Sequence, residues 1–135
     1  MSYNFAHNQS TFNKPSTFGL SPNAAALISY IWIPVTSAVV LVTEKENRFV
    51  RFHAFQSLFL MVLGAILGIV LLPIYFVGVA VDIAIGFPVF LGLVSLIGLV
   101  VGLGFLVLTV LAALKGFNGE IYKIPIVGNF AEKYV

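Results

Sequence analysis

The sequence predicts an all-α membrane protein, with three transmembrane helices and a short C-terminal interfacial amphipathic segment. Three observations lead there. Hydrophobic residues fill 60% of the 135 positions, charged residues only 9%, and the mean hydropathy is +1.07. Soluble domains carry roughly 25% charged residues, so a water-soluble fold of this size could not hide so much apolar surface. Uncharged stretches long enough to cross a hydrocarbon core of about 30 Å recur along the chain. The basic residues also gather where a three-span topology would place them.

Residues 1–21 form a polar N-terminal tail, rich in Asn, Ser and Thr, with Phe5, Phe12 and Phe18 spaced along it. It reads as a flexible tail or as an arm whose aromatics dock on a partner. The start has no basic region followed by an apolar core. The first span is therefore expected to insert and stay rather than act as a cleaved signal. Ser21-Pro22 then reads as a helix start, with a capping hydroxyl and a proline at the first helical position.

The first span covers about 22–43, with Pro34 as a mid-span kink and with Tyr30 and Trp32 packed on neighbouring helices. The second covers about 50–81, where tilt or a bend at Pro73 absorbs the extra length. Asp82 reads as a solvated residue in the turn that follows. The third span covers about 87–115, ended by Lys115 and a C-cap Gly116. Residues 117–135 form the last segment. There Ile126, Val127, Phe130, Ala131 and Tyr134 fall on one side of a short surface helix.

Charge sets the orientation. Lys45, Arg48 and Arg51 lie between spans one and two, and Lys115, Lys123 and Lys133 in the C-terminal segment. Three crossings put these six on one side, which the positive-inside rule makes cytoplasmic. The expectation is a multi-pass protein of the plasma membrane with its N-terminus outside and its C-terminus in the cytoplasm.

The stretch EKENRFVRFHAFQS, residues 44–57, holds five of the twelve charged side chains. On a helix, Glu44 would meet Arg48 and Asn47 would meet Arg51. Phe49, Phe52, His53 and Gln56 share another face, so the second helix is expected to begin near Asn47. His53 and Gln56 would bond across helices, or line a polar path. Two GxxxG pairs, Gly64/Gly68 and Gly98/Gly102, suggest close packing of spans two and three or contact with another subunit.

These motifs resemble a family of small prokaryotic membrane proteins grouped with the chloroplast inner-envelope protein-import channel component. Its pattern is a Lys/Glu-rich turn, FVRFHAxQS, and a KxxNGExYxxP tail. Glu44, Lys45, Glu46, Asn47, Phe49, Val50, Arg51, Phe52, His53, Ala54, Gln56 and Ser57 match the first part. Lys115, Asn118, Gly119, Glu120, Tyr122 and Pro125 match the second. The resemblance covers about residues 22–127 and implies a helical bundle in a bacterial-type plasma membrane. The charged stretch and the tail together give Glu44, Arg48, Arg51, His53, Gln56, Asn118, Glu120 and Tyr122 as a candidate interaction or structural motif. Loop and tail are expected to pack together, with Arg51 or His53 near Glu120.

Composition also excludes function classes. Without cysteine there is no disulfide, thiol nucleophile or thiolate metal site. A net charge of +2 gives no footprint for nucleic acid. No carboxylate pair or activated nucleophile marks a catalytic pocket, and no metal or other cofactor is expected. The bilayer is one partner, and a larger membrane-protein complex or a homo-oligomer is the other. The reading is a non-catalytic accessory or assembly subunit. The alternative is a channel or transporter component, protein-import-like or for small solutes, acting as an oligomer.

Overall fold

The computed structural model describes residues 14–17 and 19–135. Phe5, Phe12 and Phe18 lie outside the described residues, as does the question of the tail's order. Among the described residues all regular structure is helical: α1 (Pro22–Ile28), α2 (Val35–Thr43), α3 (Arg48–Ile85), α4 (Val89–Phe117) and α5 (Val127–Glu132). The chain divides into two compact units. One comprises residues 1–61 and 108–135, and the other comprises 62–107.

The first unit corrects the first predicted span. Residues 22–43 are two short helices rather than one long one, separated by turns at 29–34. Ser21 caps α1 by accepting from the Ala24 N–H, and Pro22 opens it. Pro34 offers no N–H to the carbonyl four residues back, which weakens any helix running through it. The freed backbone finds other partners. Tyr30 and Ile31 N–H groups close turns on Leu27 and Ile28, and Ser37 Oγ donates to the Ser29 carbonyl at 2.9 Å. The two helices thus fold back on each other. Tyr30 is buried as expected, but Trp32 is 72% exposed.

The second unit is an apolar helical hairpin built from α3 residues 62–85 and α4 residues 89–107. At 1.5 Å per residue these measure about 36 and 28 Å, close to the hydrocarbon thickness. Most of their large apolar side chains are exposed, which a lipid solvent favours. Pro73 is carried inside a continuous α3.

Asp82 is not a solvated turn residue. It lies in the last turns of α3, 6% exposed. Its carboxylate accepts from the Phe90 N–H at 2.8 Å and the Leu91 N–H at 2.7 Å. These are open donors of the first turn of α4, and Pro88, just before that helix, has no side-chain acceptor to offer them. Asp82 supplies the missing cap, and its charge suits the positive end of the helix dipole.

For the glycine pairs, the structure bears on the expected close packing of spans two and three and leaves contact with another subunit open to the glycines that face outward. A Cβ on Gly64 would make an ordinary 3.6 Å contact with Phe105, while Gly68, Gly98 and Gly102 face open space. The close approach is at Gly78, where the Phe90 ring takes the place of a side chain.

Replacing Asp82 with Ala should lower unfolding stability in detergent micelles by about 1–2 kcal/mol, as loss of a helix cap does. Asp82→Asn, which keeps an acceptor, should lose less. Thermal unfolding followed by circular dichroism reads both.

Candidate functional site: a buried polar junction

The junction begins where α3 begins. Asn47 caps that helix by accepting from the Val50 N–H at 3.2 Å, so the predicted start holds. Glu44 lies before the helix rather than on its face and is 1% exposed, its carboxylate turned to backbone N–H groups. One carboxylate oxygen accepts from the Thr17 N–H at 2.7 Å. The other accepts from the Asn47 and Glu46 N–H groups at 3.0 and 3.2 Å. Burial alone would raise its pKa. The N–H groups of Thr17, Asn47 and Glu46 together outweigh burial and hold the carboxyl below its ordinary value.

The same loop grips the chain ahead of α1. Asn47 Nδ2 donates to the Lys14 carbonyl at 2.9 Å, and Lys14 pairs with Glu46 at 3.0 Å. Arg51 donates to the Glu44 carbonyl at 2.9 Å and lies over the Phe55 ring.

One turn further, Phe49, Phe52, His53 and Gln56 are all buried, as their spacing predicted. Phe49 and Phe52 meet the imidazole edge-on. Gln56 is the centre. Its Nε2 donates to the Tyr30 hydroxyl at 2.9 Å and to the Tyr122 carbonyl at 3.0 Å, and its Oε1 accepts from the Ile124 N–H at 3.1 Å. Two backbone partners of opposite sense fix which end of the amide is which.

That fixed amide sets the proton positions beside it. Tyr30 accepts from Gln56, and assigning its own proton to His53 Nδ1, 3.1 Å away, lets the hydroxyl both accept and donate. The imidazole proton is then on Nε2. Nε2 is buried without a well-formed hydrogen bond, although the Glu120 backbone lies near enough to act on the ring. Below this chain, Ser37 and Ser57 hydroxyls bond at 2.7 Å. Gly116 makes the room: a Cβ there would sit 3.0 Å from His53 Cε1.

Gly116 is therefore an interior helix residue rather than the cap of α4. The cap is Gly119, with φ of 77°. The Gly119 N–H bonds to the Gly116 carbonyl and the Glu120 N–H to the Lys115 carbonyl, the paired bonds of a Schellman end. Asn118 is exposed at this end. Loop and tail do pack together, and His53 lies near Glu120 as expected, facing its backbone rather than its carboxylate. That carboxylate pairs with Lys115 at 2.6 Å, and Gln56 makes the link. Tyr122 takes part through its carbonyl.

The segment around α5 divides its apolar residues. Val127 and Ala131 are buried, whereas Ile126, Phe130 and Tyr134 are exposed. Tyr134 also meets the rings of Phe55 and Phe59, and Phe130 meets Phe59. Gly128 passes so close to Gln56 that a Cβ would lie 2.9 Å from its Oε1.

Sequence reasoning missed Tyr30, Ser29 and Ser37 as members of the junction. Their signal was present, since they are among the few hydroxyl side chains of a charge-free stretch and Ser37 follows Ser29 by eight residues. Among the described residues no group of three or more His, Asp and Glu is placed to hold a metal ion. What the junction does is join three chain segments: the α1–α2 hairpin, α3 and the tail.

The sequence pattern of the magnetosome magnetite crystal formation protein family matches residues 18–131, nearly the whole of this structure. The chain belongs to that family. A UPF0132 membrane protein of Archaeoglobus fulgidus is 34% identical over 119 residues, spanning 86% of this chain and 97% of the relative. Two UPF0132 membrane proteins of Methanocaldococcus jannaschii are similar too. One is 26% identical over 116 residues, covering 86% of this chain and 71% of its own length. The other is 27% identical over 123 residues, covering 91% and 96%. No solved structure matches the chain. Helical structure and relatives together make this an all-helical membrane protein of a small prokaryotic family.

Two outcomes follow from the junction. Tyr30→Phe removes the proton donor to His53 Nδ1, so nitrogen NMR of the imidazole should show a population protonated at Nδ1 that the parent lacks. Gln56→Ala leaves the Tyr122 carbonyl and Ile124 N–H without partners, at about 1–3 kcal/mol for each buried group. Trypsin should then cut at Lys123 markedly faster.

Glu44 adds a pH dependence. Its folded pKa is below the ordinary 4.5, so its contribution is complete above that value and is lost as pH falls through the lower folded value. Glu44→Gln should flatten the acid limb of the stability curve, measured by unfolding in micelles across that range.

Proposed function

We propose that this protein is a non-catalytic accessory or assembly subunit of a larger complex in the plasma membrane, with its C-terminal segment in the cytoplasm. The observation that carries this reading is where polar and apolar surface lie. The buried polar cluster is engaged in internal bonds, while the second unit turns apolar helix surface outward with Gly68, Gly98 and Gly102 open. Open glycines on a membrane helix let another backbone approach closely.

The family description speaks of magnetite crystal formation. A subunit gripping mineral or iron directly would be expected to present clustered free carboxylates. Here Glu44 and Asp82 cap backbone, and Glu46, Glu120 and Glu132 pair with lysines. A contribution through membrane assembly fits these residues better. Between Leu58 and Val81 there is no charged or amide side chain to line a path, which argues against conduction by a single chain. The resemblance to the import-channel group adds no polar lining of its own.

Purification in mild detergent followed by mass spectrometry should recover a reproducible membrane-protein partner. Gly98→Leu with Gly102→Leu should lose that partner without shifting the thermal midpoint of the chain. A pure homo-oligomer that passes ions in liposomes would replace this reading with that of a channel.

A further inference from the structure

The expected topology sends residues 22–43 across the membrane, which would put Lys14 and Glu46 about 30 Å apart on opposite faces. They form an ion pair instead, and Thr17 and Lys14 are bonded to Glu44 and Asn47. The ends of the stretch meet on the same side.

We propose that the α1–α2 hairpin is a re-entrant wedge that enters one leaflet and returns, and that the partner of its outer face is the acyl-chain layer of that leaflet. Length fits this. Helices of 7 and 9 residues reach roughly 10–14 Å, about half of a 30 Å core. Non-helical backbone at membrane depth is tolerated only where protein covers it. The turn at 29–34 meets that condition on its inner side, where Ser29 and Tyr30 are buried and bonded to Ser37, His53 and Gln56.

The outer side has the opposite chemistry. Ile31, Trp32 and Val42 are 68%, 72% and 72% exposed, with Val35 and Val39 about half exposed between them. Beside them, between the two helices, a cavity of about 210 Å³ is lined by Leu20, Ala25, Ile28, Val35, Val39 and other residues, Thr36 supplying its hydroxyl-bearing side chain. Methylene chains match that lining, and water does not.

Charge points the same way. With a re-entrant hairpin, Lys14 joins the other six basic residues on one face. All seven then lie on the side that the positive-inside rule assigns to the cytoplasm. The N-terminus is moved from outside to inside. This inference goes beyond the subunit reading and needs only membership in a membrane-protein family.

The chain is suited to the test, having no cysteine and one tryptophan. Ser10→Cys, Asn129→Cys and Phe87→Cys, each the only thiol in the full chain, are exposed in cells to a membrane-impermeant maleimide. Intact cells should label position 87 alone, and positions 10 and 129 should react only after permeabilisation. Labelling of position 10 but not 129 in intact cells would show a crossing helix and overturn the wedge. In liposomes, lipids brominated on their acyl chains should remove most Trp32 fluorescence, while iodide should remove little. Quenching by iodide instead would place the face in water. Quenching by neither would mean protein covers it. Both results defeat the assignment to lipid.

Discussion

The amide of Gln56 holds together three pieces of chain. It donates to a hydroxyl in the first hairpin, donates to a carbonyl in the tail and accepts from an N–H in the tail. In a low-dielectric setting each of these groups is costly to leave open, so the bonds act as one set. The histidine tautomer, the position of the tail and the seat of the α1–α2 turn depend on it. Two glycines, Gly116 and Gly128, are small because the junction fills the space that a side chain would need.

The two units divide the physical work. The first holds every basic residue and four of the five acidic ones, together with the buried hydroxyls and amides. The second is nearly pure hydrocarbon surface with one carboxylate, which serves a helix start. Salt bridges contribute little here, being exposed pairs of the kind worth about 0–1 kcal/mol. Buried hydrogen bonds in the first unit and match to lipid thickness in the second are the larger effects.

Much of this was legible in the sequence because it depended on local pattern. The 3.6-residue period showed that Phe49, Phe52, His53 and Gln56 share a buried face, and the uncharged runs marked both long helices. The fate of residues 22–43 was not legible. Hydropathy counts apolar residues, and a hairpin has as many as a crossing helix. The difference lies in Tyr30 and Ser37 finding partners on α3, with the Ser29 carbonyl held by Ser37, which is tertiary information. Glu44 was misread for a related reason: its partners are backbone N–H groups, one of them 27 residues away, and no side-chain spacing reports those. Asp82 looked like a turn residue because its role is to serve the helix after the turn.

The tail bonds of Gln56 span 66 and 68 residues of chain. During synthesis Gln56 is made long before Tyr122 and Ile124 exist, and until both have emerged its amide holds only the Tyr30 hydroxyl. The first hairpin can enter lipid and the long helices can form while the junction is still open. Closure therefore reports that the last segment has arrived, and a chain interrupted before residue 122 would keep a half-filled amide for quality-control proteases to find.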